Sequence, residues 1–202
     1  MATVCQKDQA RMKIAISMEM TRKLRDTWHA AINHEWYDFL SDHEIVPVCC
    51  HGPVVDVVEY DVIILAGGND MPGIKTWRDN HYPLRDEFET KIIKQCLITR
   101  TPLVGICRGQ HFLNWTMGGT HVRMDDPYDN VKVQLPEFEV TCHHSIRIDD
   151  LAPGFEVLQQ DSAGVKELVI HKANRQLGVG WHPEREVNRH TRSYILDLIN
   201  TL

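Results

Sequence analysis

Residues 102–106, Pro-Leu-Val-Gly-Ile, form a short apolar run that ends at Cys107-Arg108-Gly109 and passes at once into a helical pattern. A run this short and apolar on both faces reads as a strand buried inside a sheet. The change of period at Cys107 makes the chain turn from strand to helix within a residue or two. Gly105 and Gly109 flank the corner, where backbones that pack closely have no room for side chains. Such corners belong to α/β folds in which strands alternate with helices.

The rest of the chain repeats that alternation. Residues 13–17, 45–49 and 61–65 read as strands, the last stopped by Gly67-Gly68-Asn69-Asp70. Trp28, Ala31, Ile32, Trp36, Phe39 and Leu40 recur at spacings of three and four, which predicts a helix over 26–40. A second helix is predicted over 83–99, with Phe88, Ile92, Cys96 and Leu97 turned inward. Short strand-like runs at 138–141, 145–148, 155–158, 168–171 and 177–180 lie so close together that some must be antiparallel. The final helix buries Tyr194, Ile195, Leu198, Ile199 and Leu202. The expectation is a polar tail over 1–12 and one α/β domain over 13–202. Its centre is a doubly wound, mostly parallel sheet with helices on both faces, a size of core that 202 residues can fill.

Bulk chemistry removes several functions. A formal net charge of −6 opposes nucleic acid as the main partner. No apolar run reaches membrane-spanning length, and residues 1–11 lack the apolar core of a signal peptide, so a cytoplasmic setting is expected. The six cysteines need not be disulfide-bonded in such a setting. Cys49-Cys50-His51 and Cys142-His143-His144 lack the paired Cys-x-x-Cys spacing of a structural zinc site, so neither metal nor cofactor is expected. Cys5, Cys49, Cys50 and Cys96 read as small hydrophobes.

Cys107 differs from these. It stands at the carboxyl end of a strand, where open α/β sheets bind ligands, and at a helix N-terminus, whose partial positive charge favours a thiolate. A thiol nucleophile needs a base, and the base needs an orienting group. Gly180-Trp181-His182-Pro183-Glu184 offers both: His182 to move the proton and Glu184, two residues on, to hold the imidazole. The N–H of Arg108 directly after Cys107 and an N–H of the Gly67-Gly68 turn, here Gly68, are candidates for an oxyanion hole.

Jointly, Leu65-Ala66-Gly67-Gly68-Asn69-Asp70, Arg85-Asp86-x-x-Glu89, Gly105-Ile106-Cys107-Arg108-Gly109, Val140-Thr141-Cys142-His143-His144 and Gly178-Val179-Gly180-Trp181-His182-Pro183-Glu184 resemble the class I glutamine amidotransferase superfamily, and within it the γ-glutamyl hydrolase branch. The resemblance runs from Lys13 on. It implies a flavodoxin-like sheet, a Cys107–His182–Glu184 triad and a glutamyl-thioester intermediate that water hydrolyses to glutamate. It also implies substrate contacts from Gly67, Asn69, His111, His143 and His144, with no cofactor, and it leaves a homodimer open. Ala31-Ile32-Asn33-His34-Glu35-Trp36 and Trp181-His182-Pro183-Glu184-Arg185-Glu186 are similar to one subgroup, the γ-glutamyl-CDP-amidate hydrolases, which release cytidine diphosphoramidate for capsule synthesis. For a phosphate-bearing leaving group, Arg78, Arg123, Lys132 and Arg147 are the candidates.

Two departures bear on the substrate. The family commonly carries glutamine four residues after the nucleophile, whereas here Gln110 comes at three and His111 at four. Adjacent helical residues point about 100° apart, so Gln110 cannot take the missing place, and His111 is expected to supply the bond. Ser145 stands where a glutamine commonly follows the two histidines. Two other readings remain at this point: a glutaminase subunit that passes ammonia to a separate synthase, and an inactive binding domain of the same fold.

Overall fold

Strand β1 (Lys13–Ser17) is apolar along its length because it runs through the middle of a sheet with both faces covered. The computed structural model describes residues 11–23, 27–74, 79–186 and 188–202. The expected tail over 1–10, Cys5, Trp77 and Arg78 lie outside them. β1 pairs in parallel with β4 (Glu44–Val48) on one side and β5 (Val62–Leu65) on the other. β5 pairs in parallel with β6 (Leu103–Ile106), and β6 with β13 (Gln176–Val179). Beyond β13, the antiparallel strands β12 (Lys166–His171) and β11 (Glu156–Gln160) complete a seven-stranded sheet. The order β4-β1-β5-β6-β13 is flavodoxin-like: the chain works outward one way from β1, then the other.

The pleat sends alternate residues to opposite faces. Ile14, Ile16 and Ile64 join Trp36 and Phe39 of α1 (Glu35–Phe39) and Ile195 and Ile199 of α4 (Arg189–Thr201) in one apolar cluster. Ala15, Ile63 and Leu65 join Ile92, Ile93 and Cys96 of α2 (Pro83–Thr99) and Phe112 and Leu113 of α3 (Arg108–Thr116) in the other. Helices therefore cover both faces, as expected. Pro83 opens α2 with φ already set for a helix, and Arg100, at φ 60°, ends it.

The predicted helix over 26–40 is not formed. Residues Thr27–Ala31 make a strand, β3, paired antiparallel with β2 (Glu19–Lys23), and only Glu35–Phe39 is helical. The apolar spacing there served a hairpin's face: the Trp28 ring packs on Tyr82, centroids 4.8 Å apart, with the Arg22 guanidinium over it. A partner strand as polar as Glu-Met-Thr-Arg-Lys carries no apolar signal of its own. Two further pairs, β7 (His121–Arg123) with β10 (Ile146–Ile148) and β8 (Val131–Gln134) with β9 (Glu139–Cys142), lie outside the main sheet. Among the described residues the five cysteines are free, and no helix is long and apolar enough to cross a membrane.

Candidate active site

The carboxyl ends of β1, β5, β6 and β13 open on one edge, and Cys107 follows β6 there. It caps α3 at φ 51° and ψ −108°, a backbone region that costs a non-glycine residue strain. Its surroundings hold it in place. Cys107 N–H donates to Val179 O at 2.7 Å, and its carbonyl accepts from Gln110 N at 3.0 Å. A Cβ on Gly105 would overlap the carbonyl of Gly109, and one on Gly109 would overlap that of Leu65. The two glycines are the condition for this corner.

His182 follows β13 directly. Pro183 starts a single 3-10 turn, Pro183–Arg185, that folds Glu184 back so that its Oε1 lies 2.6 Å from His182 Nδ1. Both side chains are buried, with the Cys107 sulfur beside the ring. Burial opposes charge on His182, but the Cys107 thiolate and the Glu184 carboxylate outweigh it, and its pKa is pushed up to about 10. Burial likewise opposes the Cys107 thiolate, yet His182, His144 and the Arg108 N–H together hold the thiol below its ordinary value. The pair is therefore a thiolate beside an imidazolium, with the carboxylate behind it.

The loop after β5 closes on this pair. A Cβ on Gly67 would sit 2.6 Å from His182 Cε1 and 3.5 Å from Cys107 Cβ, while Gly68 takes φ 116°. Buried charges clamp the loop. Arg85 donates to Ala66 O at 2.7 Å, to Asn69 Oδ1 at 2.8 Å and to Glu89 Oε1 at 2.8 Å. Glu89 also accepts from Ser17 Oγ at 2.7 Å, and Arg108 reaches both Glu89 and Asp86. Through the sequence motif Arg85-Asp86-x-x-Glu89, α2 thus holds the loop and the first residue of α3 in one ionic frame. Asn69 belongs to it too. Its Oδ1 accepts from Met20 N and Arg85, and its Nδ2 donates to Met20 O and Asn80 O. The expected substrate contact from this side chain is corrected to positioning, since its donors and acceptor are spent within the protein.

Cys107, Gly68, Arg108, His111, His143, His144 and His182 all border one cavity of about 200 Å³, roofed on one side by Pro127, Tyr128 and Asp129. That volume is at the small end for ligand pockets (~300–1,000 Å³), which suits a glutamyl-sized group. His111 is buried with neither ring nitrogen hydrogen-bonded, and burial with His144 and His121 nearby keeps it neutral, its pKa well below 6.5. Gln110 points elsewhere: its Nε2 donates to Lys166 O at 3.1 Å, and a Cβ on Gly178 would come within 2.8 Å of its Cγ. Of these two neighbours, His111 is the one that reaches the cavity. His143 accepts from Asn130 N at 3.2 Å, its ring 6.1 Å from that of His182.

Of the phosphate candidates, Arg123 and Arg147 lie exposed on the β7–β10 pair and Lys132 pairs with Glu139 at 2.8 Å. None of these three borders the cavity; Arg185, which sequence reasoning passed over, does. Glu167 was missed as well, although a lone acid inside Leu-Val-Ile could have marked it. Cys142, His144 and Glu167 bring possible ligand atoms within 4.8 Å of one another. Burial and Glu167 push the Cys142 thiol far up, so the group stands as a hydrogen-bonded cluster with a protonated thiol, whereas metal ligation needs a thiolate.

The same fold and the same residue pattern recur in known proteins. The family described as Glutamine amidotransferase class-I matches residues 25–201. The glutamine amidotransferase-like protein YvdE of Lactococcus lactis is 29% identical over 157 residues, which is 61% of this chain and 66% of that protein. The γ-glutamyl-CDP-amidate hydrolase of Campylobacter jejuni is 29% identical over 138 residues, 61% of this chain and 62% of that protein. The chain thus spans just under two thirds of the length of these curated relatives. A crystal structure described as a glutamine amidotransferase from Thermotoga maritima superposes with a TM-score of 0.59 at 15% identity, covering 92% of this chain and 84% of that one. A GMP synthase component from Thermoplasma acidophilum superposes with a TM-score of 0.68 at 17% identity, covering 96% of this chain and 95% of that one.

Proposed function

The chain belongs to the class-I glutamine amidotransferase family, and on that premise we propose that it is a cysteine-dependent hydrolase of γ-glutamyl amide bonds. The observation that carries the reading is the buried row Cys107, His182, Glu184 on the floor of a small cavity.

In this reading the Cys107 thiolate attacks the γ-carbonyl carbon of the glutamyl group. The carbonyl oxygen takes up the negative charge and accepts hydrogen bonds from the Gly68 and Arg108 N–H groups, each worth about 2.7–4 kcal/mol by comparison with other oxyanion holes. The C–N bond breaks as His182 gives its proton to the leaving amine, and a glutamyl thioester remains on Cys107. Now neutral, His182 takes a proton from a water molecule, and the resulting hydroxide adds to the thioester. Expulsion of the thiolate frees glutamate and restores the charged pair. Glu184 holds the ring in one orientation throughout. His111, neutral and unpartnered, offers a hydrogen bond to the bound glutamyl group.

For the leaving group, γ-glutamyl-CDP-amidate is the first candidate, supported by the Campylobacter jejuni relative and by Arg185 at the cavity wall. Glutamate release measured side by side for γ-glutamyl-CDP-amidate, γ-glutamyl amines and glutamine tests the proposal. Turnover of at least one of them, lost in Cys107→Ala, is expected. No release from any γ-glutamyl compound by the folded protein overturns it.

A further inference from the structure

A second imidazole–carboxylate pair lies under the same cavity. His144, at the end of the β9 hairpin, has Nδ1 2.9 Å from the Ile146 carbonyl and Nε2 3.0 Å from Glu167 Oε1, and both side chains are almost fully buried. A carbonyl and an ionised carboxylate only accept hydrogen bonds, and a neutral imidazole carries one N–H. Both bonds form together only when the ring is an imidazolium. The other groups around it do not compete for that role. Tyr128 stacks 5.2 Å away with its hydroxyl spent on Asp161, His111 stands 5.9 Å away and is neutral, and Cys142 is a protonated thiol.

The arrangement has two consequences. With both N–H groups engaged inside the protein, His144 has none left for a ligand, so the contact expected of it from the sequence becomes an electrostatic one. Nor can it exchange protons with a substrate, so its charge stays constant while that of His182 cycles. Resting on the reading of Cys107 as the nucleophile, we propose that Glu167 is a positioning residue that keeps His144 charged, and that this fixed imidazolium holds Cys107 as a thiolate independently of His182. The direction of the charge effects agrees: Glu167 raises His144 against the opposing pull of burial, and His144 is among the groups that lower Cys107.

The test reads the thiol rather than turnover. Alkylation of Cys107 by iodoacetamide, followed on its own peptide by mass spectrometry, is measured against pH for wild type, Glu167→Gln, His144→Gln and the double variant. The proposal expects Glu167→Gln to move the half-maximal rate upward by about one pH unit or more, roughly a tenfold loss of rate on the acidic limb. His144→Gln should do the same, and the double variant no more than either. A lowered melting temperature with an unmoved profile would show a merely structural role and overturn it. Should the variants fail to fold, nitrogen NMR of the wild-type His144 ring decides: both nitrogens protonated at about pH 7 supports the proposal, and a neutral tautomer there overturns it. A wild-type Cys107 unreactive at every pH sinks the hydrolase reading as well, whereas a reactive wild type with an unmoved Glu167→Gln profile sinks only this one.

Discussion

Gly67 and His182 are in direct contact: a single methyl group on the glycine would sit 2.6 Å from the Cε1 of the ring. The loop after β5 therefore sets the position of the base as much as Glu184 does. Gly67→Ala is expected to push the imidazole off the Cys107 sulfur and lower kcat/KM by roughly 100-fold, the scale of a misplacement near one ångström. Steady-state kinetics together with Cys107 alkylation check this, and wild-type values for both would show that the loop gives way instead.

Glu89→Gln should weaken three contacts, from Arg85, Arg108 and Ser17, all buried. Leaving two guanidinium groups short of a carboxylate is expected to cost about 3–5 kcal/mol. Urea unfolding measures it. A loss below about 1 kcal/mol would mean that solvent reaches the cluster.

The charge on His182 predicts a sign for the pH dependence of stability. Its folded pKa, about 10, lies above its ordinary 6.5. The stabilisation it contributes is full below about 6.5, down to the pH at which Cys107 itself takes up a proton, and is lost as pH rises through 10. The stability gap between wild type and His182→Gln should accordingly be widest near neutral pH and close above 10. Unfolding curves at several pH values read it, and a gap that widens with alkali would contradict the charged pair.

His111→Ala removes the unpartnered imidazole from the cavity wall while leaving the Cys107–His182 pair intact. The expected effect is a KM raised by roughly tenfold, the worth of one hydrogen bond of about 1–1.5 kcal/mol, with kcat little changed. An equal fall in kcat and kcat/KM would place His111 in the transition state instead.

Much of this was legible in the sequence because it depended on local order. α2 was expected over 83–99 and runs Pro83–Thr99; β1 was expected over 13–17 and runs Lys13–Ser17. The corner at Cys107 could be read because its two glycines sit beside it in the chain, and His182 and Glu184 because one proline separates them. What escaped depended on partners far along the chain. The β2–β3 hairpin is decided by Trp28 meeting Tyr82 and by Asn69 pairing with Met20. Glu167 gains its meaning from His144, twenty-three residues earlier in sequence. Arg185 faces the cavity only because a 3-10 turn aims it there, while Arg123 and Arg147, equally basic on paper, are carried to the outside by a strand pair.

The central claim is that the Cys107 sulfur itself carries the glutamyl group. Acid quenching during turnover of a γ-glutamyl substrate, followed by mass spectrometry of the peptide containing residue 107, tests it most directly. The account predicts a glutamyl adduct on Cys107 in the wild type, with neither adduct nor glutamate release in Cys107→Ala. Glutamate release by Cys107→Ala at the wild-type rate would contradict it.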